Sequence, residues 1–251
     1  MKYPIVNNYY EVSKQDSVLI VKIKTNVFDF ICDIELSGEL LGFIKNIKGS
    51  TEIKVLLFYN DPDCVNEEQY DNFIKRIKYK TDEGPQLTPN IKEKEVRFRE
   101  INILNRFIRA LANLHIIVVS GLQGSIVTPF VGLALVADFI YAQKGTKFIM
   151  AHNKYGLHPS GGLPFFLSNS LHHSMAMEFQ MKEFFTAEEA YEMGLINKIL
   201  PEQDFLNSLI RETEKFLKYK HSTIQQTKRL TNFSRKALDD YFELEERILN
   251  L

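Results

Sequence analysis

From Ala110 to Ala137 this chain contains no Asp, Glu, Lys or Arg. A run of that length is long enough to cross a bilayer as a helix. It is nevertheless interrupted by Asn113, His115, Gln123, Thr128, Pro129 and several glycines. Those residues break it into a strand, a turn and a helix, which is the pattern of a buried core rather than of a membrane span. A segment buried on all sides needs layers above and below it, so the rest of the chain must supply strands and amphipathic helices to cover it.

The remainder has that material. Val18-Leu19-Ile20-Val21-Lys22-Ile23 is a β-branched run and predicts a strand. Tyr9 to Val12, ahead of the turn residues Lys14 to Ser17, is expected to pair with it as a hairpin. Ile34, Leu40, Leu41, Ile44 and Ile47 recur at helical spacing, with Asp33 placed to cap the helix. Ile53 to Phe58 predicts a second buried strand. Asn60-Asp61-Pro62-Asp63 is turn chemistry, and a helix is expected over about Glu67 to Lys78. Lys80 to Pro89 is polar and predicts a mobile loop. Val96, Ile101, Leu104, Phe107, Ile108, Leu111 and Leu114 make the apolar stripe of a long helix.

Ile116 to Val119 predicts a strand, after which Gly121 and Gly124 turn the chain into a helix around Val131 to Val136. Phe139 to Ala142 and Lys147 to Ala151 follow as short strands. Thr186-Ala187-Glu188-Glu189 is a capping box, and the helix it opens ends near Gly194. Ile196 to Leu200 predicts the last strand. About Glu202 to Leu251 is charged and helical with no strand signal. Strands alternating with helices and then helices alone predict an α/β protein with a helical C-terminal appendage.

The composition, 45% hydrophobic and 25% charged over 251 residues, is that of a globular protein with a sizeable core. A formal net charge of -1 offers no basic field to nucleic acid or to an anionic membrane. Two cysteines, Cys32 and Cys64, are too few for a disulfide framework and suggest a reducing compartment. The start, Met1-Lys2-Tyr3-Pro4, lacks the charged n-region and apolar run of a signal peptide, so a cytoplasmic location is expected.

Three motifs in the second half resemble the crotonase (enoyl-CoA hydratase/isomerase) superfamily. Gly124-Ser-Ile-Val-Thr-Pro-Phe-Val-Gly-Leu-Ala-Leu-Val-Ala-Asp138 occupies the place of that family's glycine turn, helix and aspartate. Phe148-Ile-Met-Ala-His-Asn-Lys-Tyr-Gly-Leu-His-Pro159 resembles its next strand and loop. Phe185-Thr-Ala-Glu-Glu-Ala-Tyr-Glu-Met-Gly-Leu-Ile-Asn-Lys-Ile-Leu-Pro201 resembles its pocket helix, Gly-Leu and strand. The resemblance covers roughly Val18 to Leu251 and is specific from Val118 to Pro201. It implies a ββα spiral core over residues 1–200 and a helical trimerisation region over 201–251. It also implies substrates that are acyl-CoA or another acyl-thioester, with coenzyme A entering only as part of the substrate. The expected assembly is a homotrimer or a dimer of trimers. The chemistry the family shares is stabilisation of a thioester enolate by two backbone N–H groups, worth roughly 3–4 kcal/mol per donor.

Carried over position by position, the resemblance places the first N–H donor at Glu67. Asn66 stands where the family has glycine, and Asn tolerates a left-handed backbone better than most residues. An ordinary loop opening a helix would read the same way. The second donor falls on Pro129, which has no N–H, so Phe130 becomes the candidate if the register shifts by one. Proline there is also good helix-start chemistry. The two hydratase carboxylates align with Gly132 and His152. Hydration needs one group to activate water and one to protonate carbon; Gly132 can do neither, and His152 can do one. A lone histidine near a turn is otherwise a hydrogen-bonded structural residue.

Asn153-Lys154-Tyr155-Gly156 with Pro159 also resembles the decarboxylase branch of the family found in polyketide β-branching. There Lys154 or Tyr155 would donate a proton, although Tyr155 is better read as a packing residue. Ser160-Gly161-Gly162 resembles the small-residue turn against the acyl chain and is a weak phosphate cradle. Asn66, Pro129, Gly132, Tyr155, Pro159 and Gly161 are therefore the candidate substrate contacts, and His158 is placed to face the same pocket. His172 and His173 fall in the helix predicted after Pro164 and point about 100° apart, which is poor zinc geometry, so no metal site is expected. The family continues past a helix like Leu238 to Leu251, so the pocket is expected to be more open or to be completed by a neighbouring subunit. The reading left open beside an enzyme is a non-catalytic homologue acting as a binding or regulatory scaffold.

Overall fold

The computed structural model describes residues 3–25, 27–78 and 91–249. The first strands are β1 (Ile5–Val6), β2 (Tyr10–Gln15) and β3 (Val18–Ile23), and they form an antiparallel meander. Asp16, with φ 51°, makes the tight turn of the β2–β3 hairpin. Two helices, α1 (Val27–Cys32) and α2 (Ile34–Asn46), cross to β4 (Val55–Asn60), which pairs parallel with β3. Asp33 caps α2 by accepting from the amides of Glu35 and Leu36. Next, α3 (Glu67–Ile77) and α4 (Lys94–Ala112) cross to β5 (Ile117–Leu122), again parallel.

After β5 come β6 (Ser125–Val127), α5 (Phe130–Leu135), β7 (Phe139–Gln143) and β8 (Lys147–Ile149). They are followed by α6 (Ala151–Lys154), α7 (Leu163–Ser170), α8 (His173–Met181), β9 (Phe184–Thr186), α9 (Ala187–Glu192) and β10 (Lys198–Leu200). The large sheet has the order β1-β2-β3-β4-β5-β7-β10, parallel from β3 onward, and a second sheet has the order β6-β8-β9. Among the described residues only helices follow: α10 (Phe205–Glu214), α11 (His221–Thr231) and α12 (Leu238–Leu249).

The central strands are apolar along their length because helices cover both faces. Val55, Leu57 and Tyr59 of β4 join Val119 of β5 in a core closed by Phe205, Leu209 and Ile224 of α10 and α11. Leu56 points the other way, into the larger core with α1, α2 and α4. Asp138 ties the layers together. It accepts from the Val118 amide at 2.7 Å and pairs with the buried Lys228 of α11 at 2.6 Å. The charge-free stretch becomes the end of α4, then β5, β6 and α5. Among the described residues no helix is long and apolar enough to cross a membrane.

Several elements differ from the sequence expectation. The second parallel strand begins at Val55, because the amides of Lys54 and Val55 both turn to Ser17 before the ladder starts. The last strand begins at Lys198, since Asn197 pairs with Ile140 through both its amide and its side chain and ends the preceding turn. Strands β6 and β9 have three residues each, too few for any periodicity to register. Two helices follow Pro164 rather than one, and His172 and His173 open the second. Ile34 lies on the outer side of its helix, 61% exposed. The loop expected over Lys80 to Pro89 lies outside the described residues.

Candidate active site

Two helix N-termini follow the ends of strands β4 and β6. The first belongs to α3. The Asn60-Asp61-Pro62-Asp63 turn ends β4, and Asn60 clasps β5 through Gln123: its side-chain nitrogen donates to the Gln123 carbonyl at 2.8 Å, and the Gln123 side chain donates to the Asn60 carbonyl at 2.6 Å. Asn66 then caps α3 by accepting from the Gln69 amide at 3.0 Å. Its backbone is extended, φ -80° and ψ 173°, so the left-handed conformation expected there is not used; capping is the reason for Asn at this position. Glu67 is the first helical residue, and its amide has no partner within the helix.

The second N-terminus belongs to α5. Gly124 turns the chain at φ 75° against the Pro62 carbonyl, where a Cβ would lie 2.3 Å from that oxygen, so this close approach requires glycine. β6 leads to Thr128 and a cis bond to Pro129. Pro129 is the N-cap and Phe130 the first helical residue, so Phe130 and not Pro129 offers an amide at this helix start. The Val127 amide donates to the Val65 carbonyl at 2.9 Å. That bond holds the segments leading into α3 and α5 side by side.

Behind α5 lies His152, 2% exposed, in the short helix α6. Its Nδ1 is 3.2 Å from the Thr128 hydroxyl, and its Nε2 is buried with no hydrogen-bond partner. Burial, then the positive fields of His158 and Arg97, push its pKa down to about 4, so the ring is neutral at pH 7. Gly132 is packed so closely on Gly161 that no side chain fits. Gly161, at φ 70°, lies in the interior against Pro129 and Leu104. The amides of Gly161 and Gly162 donate to the buried Glu245 of α12 at 3.2 and 3.1 Å. Burial pushes the Glu245 carboxyl up in spite of those donors.

Lys154 and Tyr155 turn toward α3. Lys154 pairs with Glu67 at 2.9 Å and Asp71 at 2.7 Å, and the Tyr155 hydroxyl donates to Asp71 at 2.6 Å. The pair therefore latches α6 to the start of α3. Although burial opposes it, hydrogen bonds from Lys154 and Tyr155 hold the Asp71 carboxyl below its usual range. Pro159 is half-buried, and His158 beside it is exposed. His172 and His173 are exposed too, and among the described residues no group of His, Cys, Asp or Glu could hold a metal ion.

An apolar cavity of about 90 Å³ opens beside the paired helix starts. Val65 and Phe130 line it, with Phe30 of α1, Leu104 and Phe107 of α4, and Leu133 of α5 among its other walls. Phe28 packs edge-on to Phe130 at 5.2 Å and stacks on Phe73 at 5.1 Å, which makes an aromatic wall between α1, α3 and α5.

The sequence profile of the enoyl-CoA hydratase/isomerase family matches residues 91–250 of this chain. The chain belongs to that family. A Streptococcus mutans trans-2-decenoyl-[acyl-carrier-protein] isomerase is 29% identical over 143 residues, 57% of this chain and 50% of that protein. The Arabidopsis thaliana protein named probable enoyl-CoA hydratase 1, peroxisomal, is 27% identical over 116 residues, 46% of this chain and 44% of that protein. The chain thus spans about half the length of the curated relatives it matches. The fold extends over nearly the whole chain. An enoyl-CoA hydratase structure from Mycobacterium avium subsp. paratuberculosis K-10 superposes with a TM-score of 0.74 at 20% identity, covering 98% of this chain and 95% of that one. DspI of Pseudomonas aeruginosa superposes with a TM-score of 0.74 at 16% identity, covering 96% and 93%.

Sequence reading did not single out the buried charges near this site. Arg97 and Glu100 of α4 form an ion pair in the interior, and Arg97 also hydrogen-bonds Tyr70. One Arg97 nitrogen and one Glu100 oxygen are left without partners. An Arg and a Glu three apart on an amphipathic helix look like an exposed pair. Only the neighbouring exposed Phe98 hints that the helix face is rotated.

Proposed function

We propose that this chain binds an acyl thioester with the carbonyl oxygen at the paired starts of α3 and α5, and that His152 moves a proton on the bound acyl group. This is the chemistry of an isomerase or a decarboxylating lyase rather than of a hydratase. The observation that carries the proposal is the hydrogen bond from the Val127 amide to the Val65 carbonyl, which ties together the segments that lead into the helix starts offering the Glu67 and Phe130 amides. First-turn amides lack helical partners and sit at the positive end of the helix dipole. Two of them at one oxygen would stabilise the negative charge of an enolate.

The reaction class follows from the side chains. Hydration asks for one group to activate water and another to deliver a proton. Gly132 supplies neither, which leaves His152 as the titratable side chain at the two positions where the family carries its carboxylates. Moving a double bond asks only that a proton be taken from one carbon and returned to another, and one base serves for both. The apolar cavity supports an acyl ligand. The S. mutans relative, an isomerase by name, points to the same class. Coenzyme A would enter as part of the substrate, and a homotrimer or dimer of trimers in the cytoplasm belongs to the same proposal.

The test is thermal denaturation with a panel of acyl-CoAs, followed by an isomerisation and a decarboxylation assay on the best ligand with the wild type and His152→Gln. The expected result is a raised midpoint and turnover that His152→Gln lowers at least tenfold. One observation favours a second reading, a binding or regulatory scaffold without chemistry: His152 Nε2 is sealed in the interior behind α5, while the Phe28–Phe130 contact closes the site from the α1 side. A raised midpoint with no turnover, or turnover unaffected by His152→Gln, would decide against the proton-transfer role.

A further inference from the structure

The orientation of the His152 ring follows from the hydroxyl beside it. Thr128 Oγ1 lies 2.9 Å from the Ile149 carbonyl oxygen and 3.2 Å from His152 Nδ1. A carbonyl oxygen can only accept, so at 2.9 Å the hydroxyl gives its single proton to Ile149. Toward His152 it then presents a lone pair. Nδ1 must therefore carry a hydrogen and donate it. A neutral imidazole has one N–H, so Nε2 is left with its lone pair free, and it has no partner in the protein.

The parts of this arrangement are fixed by the backbone. The Thr128 amide donates to the same Ile149 carbonyl at 3.0 Å, so that oxygen holds both the amide and the hydroxyl of one residue. Thr128 is 1% exposed, and water does not compete for its proton. The His152 carbonyl accepts from the amides of Tyr155 and Leu157, which holds the residue in the turn of α6. Burial first, and then the fields of His158 and Arg97, disfavour a second proton on the ring.

We propose that Thr128 is a positioning residue which, by donating to Ile149 and accepting from His152 Nδ1, fixes the imidazole in the Nδ1–H tautomer and leaves Nε2 as the proton acceptor. The role rests on the proton-transfer reading of His152 given above. In that reaction the proton leaves the acyl carbon for Nε2 while the electron pair of the C–H bond enters the enolate. The Nδ1–H bond to Thr128 then shares the new positive charge, and the same proton returns from Nε2 to the second carbon.

Long-range ¹H–¹⁵N correlation spectra of the labelled full chain at pH 7 test this, with His152→Gln identifying the His152 signals among the six histidines. The expected wild-type spectrum has a protonated Nδ1 and an unprotonated Nε2. Thr128→Ser should keep that pattern, and Thr128→Val should replace it with the Nε2–H form or a mixture. A wild-type His152 that carries its proton on Nε2, or a pattern unchanged in Thr128→Val, overturns the assignment. The wild-type spectrum alone decides if the valine variant does not fold. No substrate is involved. The expected spectra with no acyl-CoA binding would therefore sink the reaction and keep the tautomer, and the reverse combination would do the opposite.

Discussion

A Cβ built on Gly132 would stand 1.9 Å from the carbonyl oxygen of Gly161 and 2.9 Å from the amide nitrogen of Leu163. Helix α5 is thus pressed directly on the loop after Pro159. Gly161 and Gly162 cannot yield easily, because both amides are held by Glu245. Gly132→Ala should therefore cost more than about 2 kcal/mol, the scale of overpacking a well-filled interior. Gly132→Glu should cost more still and should not create a hydratase. Urea unfolding of the two variants checks this. A Gly132→Glu protein as stable as the wild type would mean that the loop moves aside.

His152 makes stability depend on pH. Its folded pKa of about 4 lies below the ordinary 6.5, so between those values the unfolded chain binds more protons than the folded one. Stability is then fully present above pH 6.5 and is lost as the pH falls toward 4, by roughly 3 kcal/mol in all. Glu100 and Glu245, whose carboxyls burial pushes up, contribute with the opposite sign. The informative quantity is hence the difference between proteins. His152→Gln should show a shallower loss of stability from pH 6.5 to 4 than the wild type. Parallel curves would contradict the buried neutral imidazole.

Glu245 joins the C-terminal helix α12 to the site. It accepts from Gly161, Gly162 and the Asn105 side chain, all in the interior. Glu245→Ala would leave two backbone amides buried without acceptors, at about 1–3 kcal/mol each. The variant should lose stability by a few kcal/mol, whereas Glu245→Gln, which keeps an acceptor oxygen, should lose distinctly less. Equal losses in the two variants, measured by urea unfolding, would mean that packing of α12 and not the hydrogen bonds accounts for the effect.

What could be read from the sequence was local. The cap at Asp33 and the capping box of Thr186 with Glu189 form as their spacing predicts, because each needs only residues within one helical turn. The β-branched run Val18 to Ile23 becomes β3 for the same reason. The site was legible only in outline. The motif around Gly124 and Pro129 located the start of α5, yet the partner that pins it, Val65, is distant in sequence. Asn66 was noticed for its backbone tolerance when its side chain does the capping. Arg97, Glu100 and Glu245 lie on helices whose charges look solvated. Their burial is decided by how α4 meets α3 and α12, which no periodicity within one helix reveals.

The apolar cavity makes a testable demand on the proposed acyl ligand. Its walls include Phe30, Leu104, Phe107 and Phe130, and its volume is about 90 Å³. A chain that outgrows this space would have to displace packed side chains, and interiors resist such changes at a cost of roughly 1–3 kcal/mol. Each methylene that does fit contributes about 0.8 kcal/mol by leaving water. The midpoint shift in thermal denaturation should therefore rise with acyl length from acetyl-CoA and then level off or fall before decanoyl-CoA. Leu104→Ala, which enlarges the cavity, should move the maximum to longer chains while lowering the stability of the free protein. If decanoyl-CoA instead stabilises the wild type most, as the ten-carbon name of the S. mutans relative would suggest, the acyl chain lies elsewhere, and the cavity is a packing defect of the core with no part in binding.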